Sequence, residues 1–245
     1  MFKLSRFRAL SLIAPLALSV GLVAATSLPA QAVPTGPAGI DVASHQGNVN
    51  WTAVKNAGVK WAYVKATEGN YYKNPYFAQQ YNGAYNVGLI RGAYTFATPN
   101  DSSGANQANY LVDNGGGWSS DGKTLPPMLD IEANPYGATC YGLSQAQMVS
   151  WLHDFVNTVH ARTGRYPTIY TATSWWTQCT GNNAGFGNSA LFLARWASSP
   201  GTLPASWDYL TFWQYADSGP LPPGGDQDLF NGSSAGLLAY ANGHP

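Results

Sequence analysis

The chain is short of charge. Asp, Glu, Lys and Arg make up 10% of its 245 residues, twelve of each sign. No basic stripe stands out, which argues against a nucleic-acid partner. Cysteine is nearly missing, with only Cys140 and Cys179. His45, His153, His160 and His244 are scattered rather than set at ligand spacing, so neither a metal nor another cofactor is expected. Uninterrupted apolar runs of membrane-spanning length are missing too. The longest apolar stretch, from Ala9 to Ala25, is broken by Pro15. It follows Lys3, Arg6 and Arg8 and precedes Ala30-Gln31-Ala32, the pattern of a secretory signal with an A-x-A cleavage site. Residues 1–32 therefore read as a signal peptide, and residues 33–245 as one barrel-sized domain with no membrane anchor. Without the leader, nine basic residues face twelve acidic ones. No internal repeat or low-complexity run interrupts this domain.

Two cysteines in a secreted chain imply one disulfide. It would join the loop after Glu132 to the loop after Tyr170. Aromatics, by contrast, are abundant at 13%. Their faces suit pyranose rings, although large cores use them as well.

The chain is organised around Leu125-Pro126-Pro127-Met128-Leu129-Asp130-Ile131-Glu132. An apolar run ends in two acids one residue apart. On a strand, such acids share a face, roughly 6–7 Å apart at Cα. Two carboxyls crowded in a poorly solvated site do not both ionise easily, which leaves an acid beside a carboxylate. Glycosidic cleavage uses that pairing.

Strands are expected near 39–43, 61–66, 89–96, 125–132, 167–171, 191–196, 210–215 and 226–230. Helices are expected from about Trp51, over 74–86, over 103–114, from a Ser144-Gln147 capping box to about Arg162, and over 234–241. Alternation over the first five strands implies parallel βαβ units. The gaps between later strands are too short for full crossovers. The expected fold is α/β: an irregular, single-domain, TIM-like β/α barrel with eight strands and about five helical crossovers. Chemistry in such barrels gathers at the C-terminal strand ends. Asp41, Glu68, Asp130, Glu132, Asp226 and Asp228 fall there, among Tyr63, Tyr94, Tyr170, Trp196, Trp213 and Tyr215.

Six motifs in this order resemble glycoside hydrolase family 25, the secreted bacterial muramidases of the lysozyme class. They are Gly39-Ile40-Asp41-Val42-Ala43-Ser44-His45-Gln46-Gly47, Tyr63-Val64-Lys65-Ala66-Thr67-Glu68-Gly69 and Arg91-Gly92-Ala93-Tyr94-Thr95-Phe96. Leu129-Asp130-Ile131-Glu132, Phe212-Trp213-Gln214-Tyr215 and Asp226-Gln227-Asp228-Leu229-Phe230-Asn231-Gly232 complete the set. The resemblance implies an irregular β/α barrel that cleaves the β-1,4 bond between N-acetylmuramic acid and N-acetylglucosamine in peptidoglycan glycan strands. It implies Glu132 as proton donor, Asp130 as the acid assisting the substrate's 2-acetamido group, and Asp41 and Asp226 as further site carboxylates, with Asp228 as second choice to Asp226. Tyr63, Lys65, Glu68, Tyr94, Tyr170, Trp196, Trp213, Gln214 and Asp228 are the expected substrate-binding residues. Thr95 stands where the family often has His, and His45 where it often has a larger aromatic. Two alternatives stay open at this point: a chitinase-like, acetamido-assisted glycosidase and a non-catalytic wall-binding module. The protein is expected to be extracellular and monomeric.

Overall fold

The computed structural model describes residues 35–244. The signal-peptide reading of residues 1–32 lies outside the described residues. Eight strands close into a barrel. They are β1 (Ala38–Val42), β2 (Trp61–Glu68), β4 (Ile90–Phe96), β5 (Met128–Asp130), β6 (Thr168–Thr171), β7 (Leu191–Ala194), β8 (Phe212–Ala216) and β9 (Gln227–Phe230). A short β3 (Tyr72–Lys73), absent from the strands expected from sequence, folds back on β2 as a hairpin. Strand order runs β1-β9-β8-β7-β6-β5-β4-β2, and β1 pairs with β2 to close the ring. All neighbours are parallel except β9, which is antiparallel to both β1 and β8.

Five helices cross between parallel strands: α1 (Trp51–Asn56), α2 (Phe77–Asn86), α3 (Gly104–Asp113), α4 (Gln145–Thr163) and α5 (Thr173–Thr180). From β7 to β9 no helix intervenes, and α6 (Ser234–Ala241) follows β9. The short spacing of the last strands anticipated this. The capping box forms as expected, with Ser144 Oγ accepting from the Gln147 amide and the Gln147 side chain accepting from the Ser144 amide. Gly164 stops α4 in the left-handed conformation, at φ 71°.

Alternation along the strands sorts side chains into two layers. Trp61, Tyr63, Met128, Tyr170, Phe192, Phe212 and Phe230 belong to one apolar cluster, which fills the barrel interior. A β-carbon at Gly39 would fall inside the Trp61 indole, and one at Gly92 would meet the Tyr63 ring. Glycine at these two positions is what lets such large rings share the interior. Between sheet and helices, Leu129, Ile131, Ile169 and Trp213 join Leu152, Phe155 and Trp176. The barrel is a packed body rather than a pore, so solvent-facing chemistry is confined to its ends.

Cys140 and Cys179 form a disulfide with a Cα–Cα distance of 5.3 Å. Cys140 lies in the segment after β5, as expected. Cys179 lies on α5 rather than in a loop, because Thr173 to Thr180 complete two turns of helix. The bridge closes a segment of 39 residues, for which loop entropy gives roughly 3–4 kcal/mol. Reduction is expected to lower the melting temperature clearly while leaving most activity at moderate temperature. Calorimetry and assay with and without reductant check this, and an unchanged melting temperature would refute it.

Candidate active site

A cleft of about 370 Å3 opens at the C-terminal end of the barrel. Among the acids that line it are Asp41 from β1, Asp130 from β5, Glu132 just beyond β5, and Asp226 just before β9. The expected strand ends at Asp130, two residues short of Glu132. The backbone nevertheless continues extended for one more step, because the Ile131 amide donates to the Tyr170 carbonyl at 3.0 Å. Met128 packs inside the barrel, Leu129 and Ile131 outside, and Glu132 reaches the cleft. The shared face predicted for Asp130 and Glu132 survives although the regular ladder does not.

Lys65 and Glu68 also line the cleft. Three residues apart, they would point oppositely on a regular strand. A register shift between Lys65 and Thr67 against β4 turns both to the same side. There Lys65 Nζ donates to Glu68 Oε2 at 2.6 Å, while the hydroxyls of Tyr71 and Tyr136 donate to Glu68 Oε1 at 3.1 and 2.8 Å. Burial raises the proton affinity of Glu68, but these donors together outweigh it and hold the group charged, below its ordinary range.

Gln214 organises the opposite wall. Its Oε1 accepts from the Tyr170 hydroxyl and from Trp196 Nε1, both at 2.8 Å. That orients Nε2 to donate to Asp41 Oδ2 at 2.9 Å. Asp41 is raised well above the usual carboxylate range by burial, then by the nearby Asp226; the Gln214 bond opposes this. Asp130 is raised by burial and then by Glu132, with Lys65 opposing. Glu132 is raised by burial, partly offset by its hydrogen bond with Asp130. Asp226 is raised by burial, with its contact to Asp41 opposing. The cleft thus holds more carboxyls than it can ionise together, so some remain protonated near neutrality. Asp130 Oδ1 is buried and has no hydrogen-bond partner among the described residues.

Of the expected binding residues, Lys65, Glu68, Tyr94, Tyr170 and Gln214 line the cleft. Four others do not. Tyr63 is sealed beneath it, its hydroxyl bonded to the Pro126 carbonyl and Thr168 Oγ1 at 3.0 Å each. Trp213 points outward, packs against the helices, and donates to the Arg195 carbonyl at 2.9 Å. It follows Phe212, which faces inward, so strand alternation puts it on the wrong side. Trp196 lies past the end of β7, 61% exposed, and reaches the site only through Gln214. Asp228 is entirely buried below Asp41 and does not reach the cleft.

Sequence reasoning missed Gln46, Phe96, Pro135 and Tyr136 as cleft residues. Tyr136 had a faint signal: an aromatic in Asn134-Pro135-Tyr136-Gly137, directly after the acid pair. His45 lines the cleft, so its difference from the family pattern bears on the site. Thr95 does not. It is buried on the outer layer and accepts a 2.9 Å hydrogen bond from Thr67. Among the described residues, no group of His, Cys, Asp or Glu is arranged to hold a metal ion.

The acids make stability depend on pH. Asp41 and Asp130 bind protons more tightly in the folded chain than in the unfolded one. Their stabilising contribution is complete below the unfolded value, about 3.9, and is lost as pH rises toward the raised folded values. Glu68 works oppositely, adding stability above about 4.3 that is lost as pH falls through its depressed folded value. The buried acids outnumber Glu68, so the melting temperature is expected to fall from mildly acidic to neutral pH. Calorimetry across that range checks it, and a steady rise would contradict it.

Comparison with known proteins gives a consistent picture. The family model of glycosyl hydrolases family 25 matches residues 40–223. Lysozyme M1 of Streptomyces globisporus is 51% identical over 214 residues, covering 85% of this chain and 72% of that protein. An N,O-diacetylmuramidase of Arthroderma benhamiae is 48% identical over 206 residues, covering 84% of this chain and 86% of that protein. The crystal structure of the bacterial lysozyme from Streptomyces coelicolor superposes with a TM-score of 0.83 at 51% identity, covering 86% of this chain and 99% of that one.

Proposed function

The chain belongs to glycosyl hydrolases family 25, and from that premise we propose that it is a secreted N-acetylmuramidase. It hydrolyses the β-1,4 bond between N-acetylmuramic acid and N-acetylglucosamine in bacterial peptidoglycan. The observation that carries this reading is the pair Asp130 and Glu132 at the end of β5, the first buried and the second half-buried in an acidic cleft, both with raised proton affinity. A cleft open at the barrel end suits a polymer passing across it, and aromatic Tyr94, Tyr136 and Tyr170 offer faces to sugar rings. Residues 1–32 act as the export signal, residues 33–245 form the catalytic domain, and one copy of the chain supplies every residue named. Clearing of a bacterial wall suspension without hydrolysis of chitin is the expected result. Cleavage of chitin at a comparable rate would favour the chitinase-like alternative, and no cleavage of either would favour a wall-binding module.

In the proposed mechanism Glu132 protonates the leaving glycosidic oxygen. Burial keeps it protonated to higher pH than an exposed glutamate, which suits a general acid. The muramic acid acetamido oxygen attacks its own anomeric carbon, and Asp130 holds the amide N–H. Asp130 lines the cleft beside Glu132, and its carboxylate is an acceptor suited to that N–H. Accepting it lowers the proton affinity of Asp130 and lets the shared proton reside on Glu132. Glu132, deprotonated after the first step, then takes a proton from the incoming water. An inverting scheme would instead need Asp41 or Asp226 to activate water across the ring. Asp41 is already bound to Gln214 and in contact with Asp226, which ties it to the wall. Net retention without a covalent enzyme intermediate is therefore expected. NMR of the fresh product should show the β-anomer first; an initial α-anomer would show inversion, and a trapped glycosyl-aspartate would exclude the acetamido route.

A further inference from the structure

Beneath the cleft lies a further acid that the mechanism does not use. Asp228 on β9 stands across from Gly39 on β1 and from Gln214 on β8. Its exposure is 0%, and among the described residues no N–H or hydroxyl donor reaches either of its carboxyl oxygens. The polar group it touches is the carboxyl of Asp41, in hydrogen-bonding contact. The titratable groups around it are Asp41 on β1, Asp226 ahead of its own strand, and Tyr215 on β8. None is a cation. A carboxylate buried there would face two further acids without a compensating donor, a strongly unfavourable arrangement. A neutral carboxyl has one O–H, and Asp41 is the acceptor within reach.

Resting on the muramidase reading of the cleft, we propose that Asp228 is a positioning residue: a permanently neutral acid whose O–H donates to Asp41 from below. With Gln214 Nε2 donating to Asp41 Oδ2, it locks that carboxyl in one orientation on the cleft wall. Two donors also favour the charged form of Asp41, so Asp228 helps decide which member of the cluster carries negative charge. Asp41 lines the cleft, whereas Asp228 lies beneath it and acts through Asp41. This departs from the sequence expectation, in which Asp228 binds substrate or replaces Asp226.

The proposal makes Asn an adequate replacement, because its amide N–H donates as the acid O–H does and never ionises. Asp228→Asn is expected to keep kcat within about threefold of wild type, with an unchanged pH profile. Asp228→Ala, which removes the donor, is expected to lose on the order of ten- to a hundredfold in kcat through misplacement of Asp41, with KM little altered and the acidic limb of the profile moved upward. Asp228→Asn falling to the level of an Asp41→Asn control would overturn the proposal, since it would require an ionised Asp228. An Asp228→Ala enzyme that folds and matches wild type in rate and profile would overturn it as well. Carboxyl carbon NMR of 13C-aspartate-labelled protein gives a reading that does not need activity. The aspartate signal that is lost in Asp228→Asn should, in wild type, stay protonated through neutral pH; a lost signal that titrates as an ordinary carboxylate would refute the assignment. If wild type cleaves no wall glycan, the muramidase reading fails, while the NMR result still decides whether Asp228 is neutral.

Discussion

Glu132→Gln is expected to lose on the order of a thousandfold or more in kcat on wall glycan, with KM almost unchanged. Glutamine keeps the shape and the polar contacts of the side chain but has no proton to give. General acid catalysis contributes about 10²- to 10⁴-fold, and the upper part of that range applies when the leaving group is a sugar alkoxide. The cause is chemical rather than structural, so the fold should be undisturbed. Burial already penalises the charge of Glu132, and removing it should leave the melting temperature equal or higher. The same variant bears on the pH profile. In wild type, activity should follow a bell on the acidic side of neutral, whose limbs belong to the coupled acids together. The alkaline limb reports loss of the donor proton. A Glu132→Gln enzyme with wild-type rate would remove Glu132 from the chemistry, as would a rate that keeps climbing into alkaline pH.

Asp130→Asn is the second large effect, expected at roughly 10²- to 10³-fold in kcat, the usual scale for losing a preorganised group aimed at developing charge. Here the charge is the positive oxazolinium formed as the acetamido group closes on the anomeric carbon. An asparagine can still contact the amide but cannot neutralise it. Stability should move the other way. Asp130 lies among Glu132, Asp41 and Asp226, its proton affinity raised by burial and by those acids. Replacing it by a neutral amide relieves that repulsion, and the melting temperature at neutral pH should rise. A variant slower and more stable than wild type is therefore the signature of Asp130 as an electrostatic catalyst. Lower stability together with full activity would make it a structural residue instead.

Much of this site could be read from sequence because strand alternation is a local rule. Asp41, Lys65, Tyr94, Asp130, Tyr170 and Gln214 each fall on an inward strand position near the cleft, and motif order was enough to find them. The same rule counted wrongly where register was unknown. Trp213 stands next to Gln214 in its motif, yet neighbours on a strand face opposite layers. Tyr63 and Asp228 lie on the correct face but one layer too deep, and depth depends on how strands stagger around the closed barrel. Glu68 reaches the cleft only because of the shift after Lys65, which nothing in Ala66-Thr67 announces. Tyr136 owes its position to a non-repetitive segment tied to α5 by the disulfide and to Glu68 by its hydroxyl, contacts that join residues far apart in sequence. The five crossovers and the helix-poor last third were legible from segment lengths, since a helical return needs residues that the chain after β7 does not spend on one.

The central claim is that Glu132 and Asp130 cut one particular bond, on the reducing side of N-acetylmuramic acid. It is tested most directly by mass spectrometry of a borohydride-reduced peptidoglycan digest made with the purified enzyme. The account predicts fragments ending in reduced N-acetylmuramic acid, absent when Glu132→Gln replaces the wild type. Fragments ending in reduced N-acetylglucosamine would contradict it.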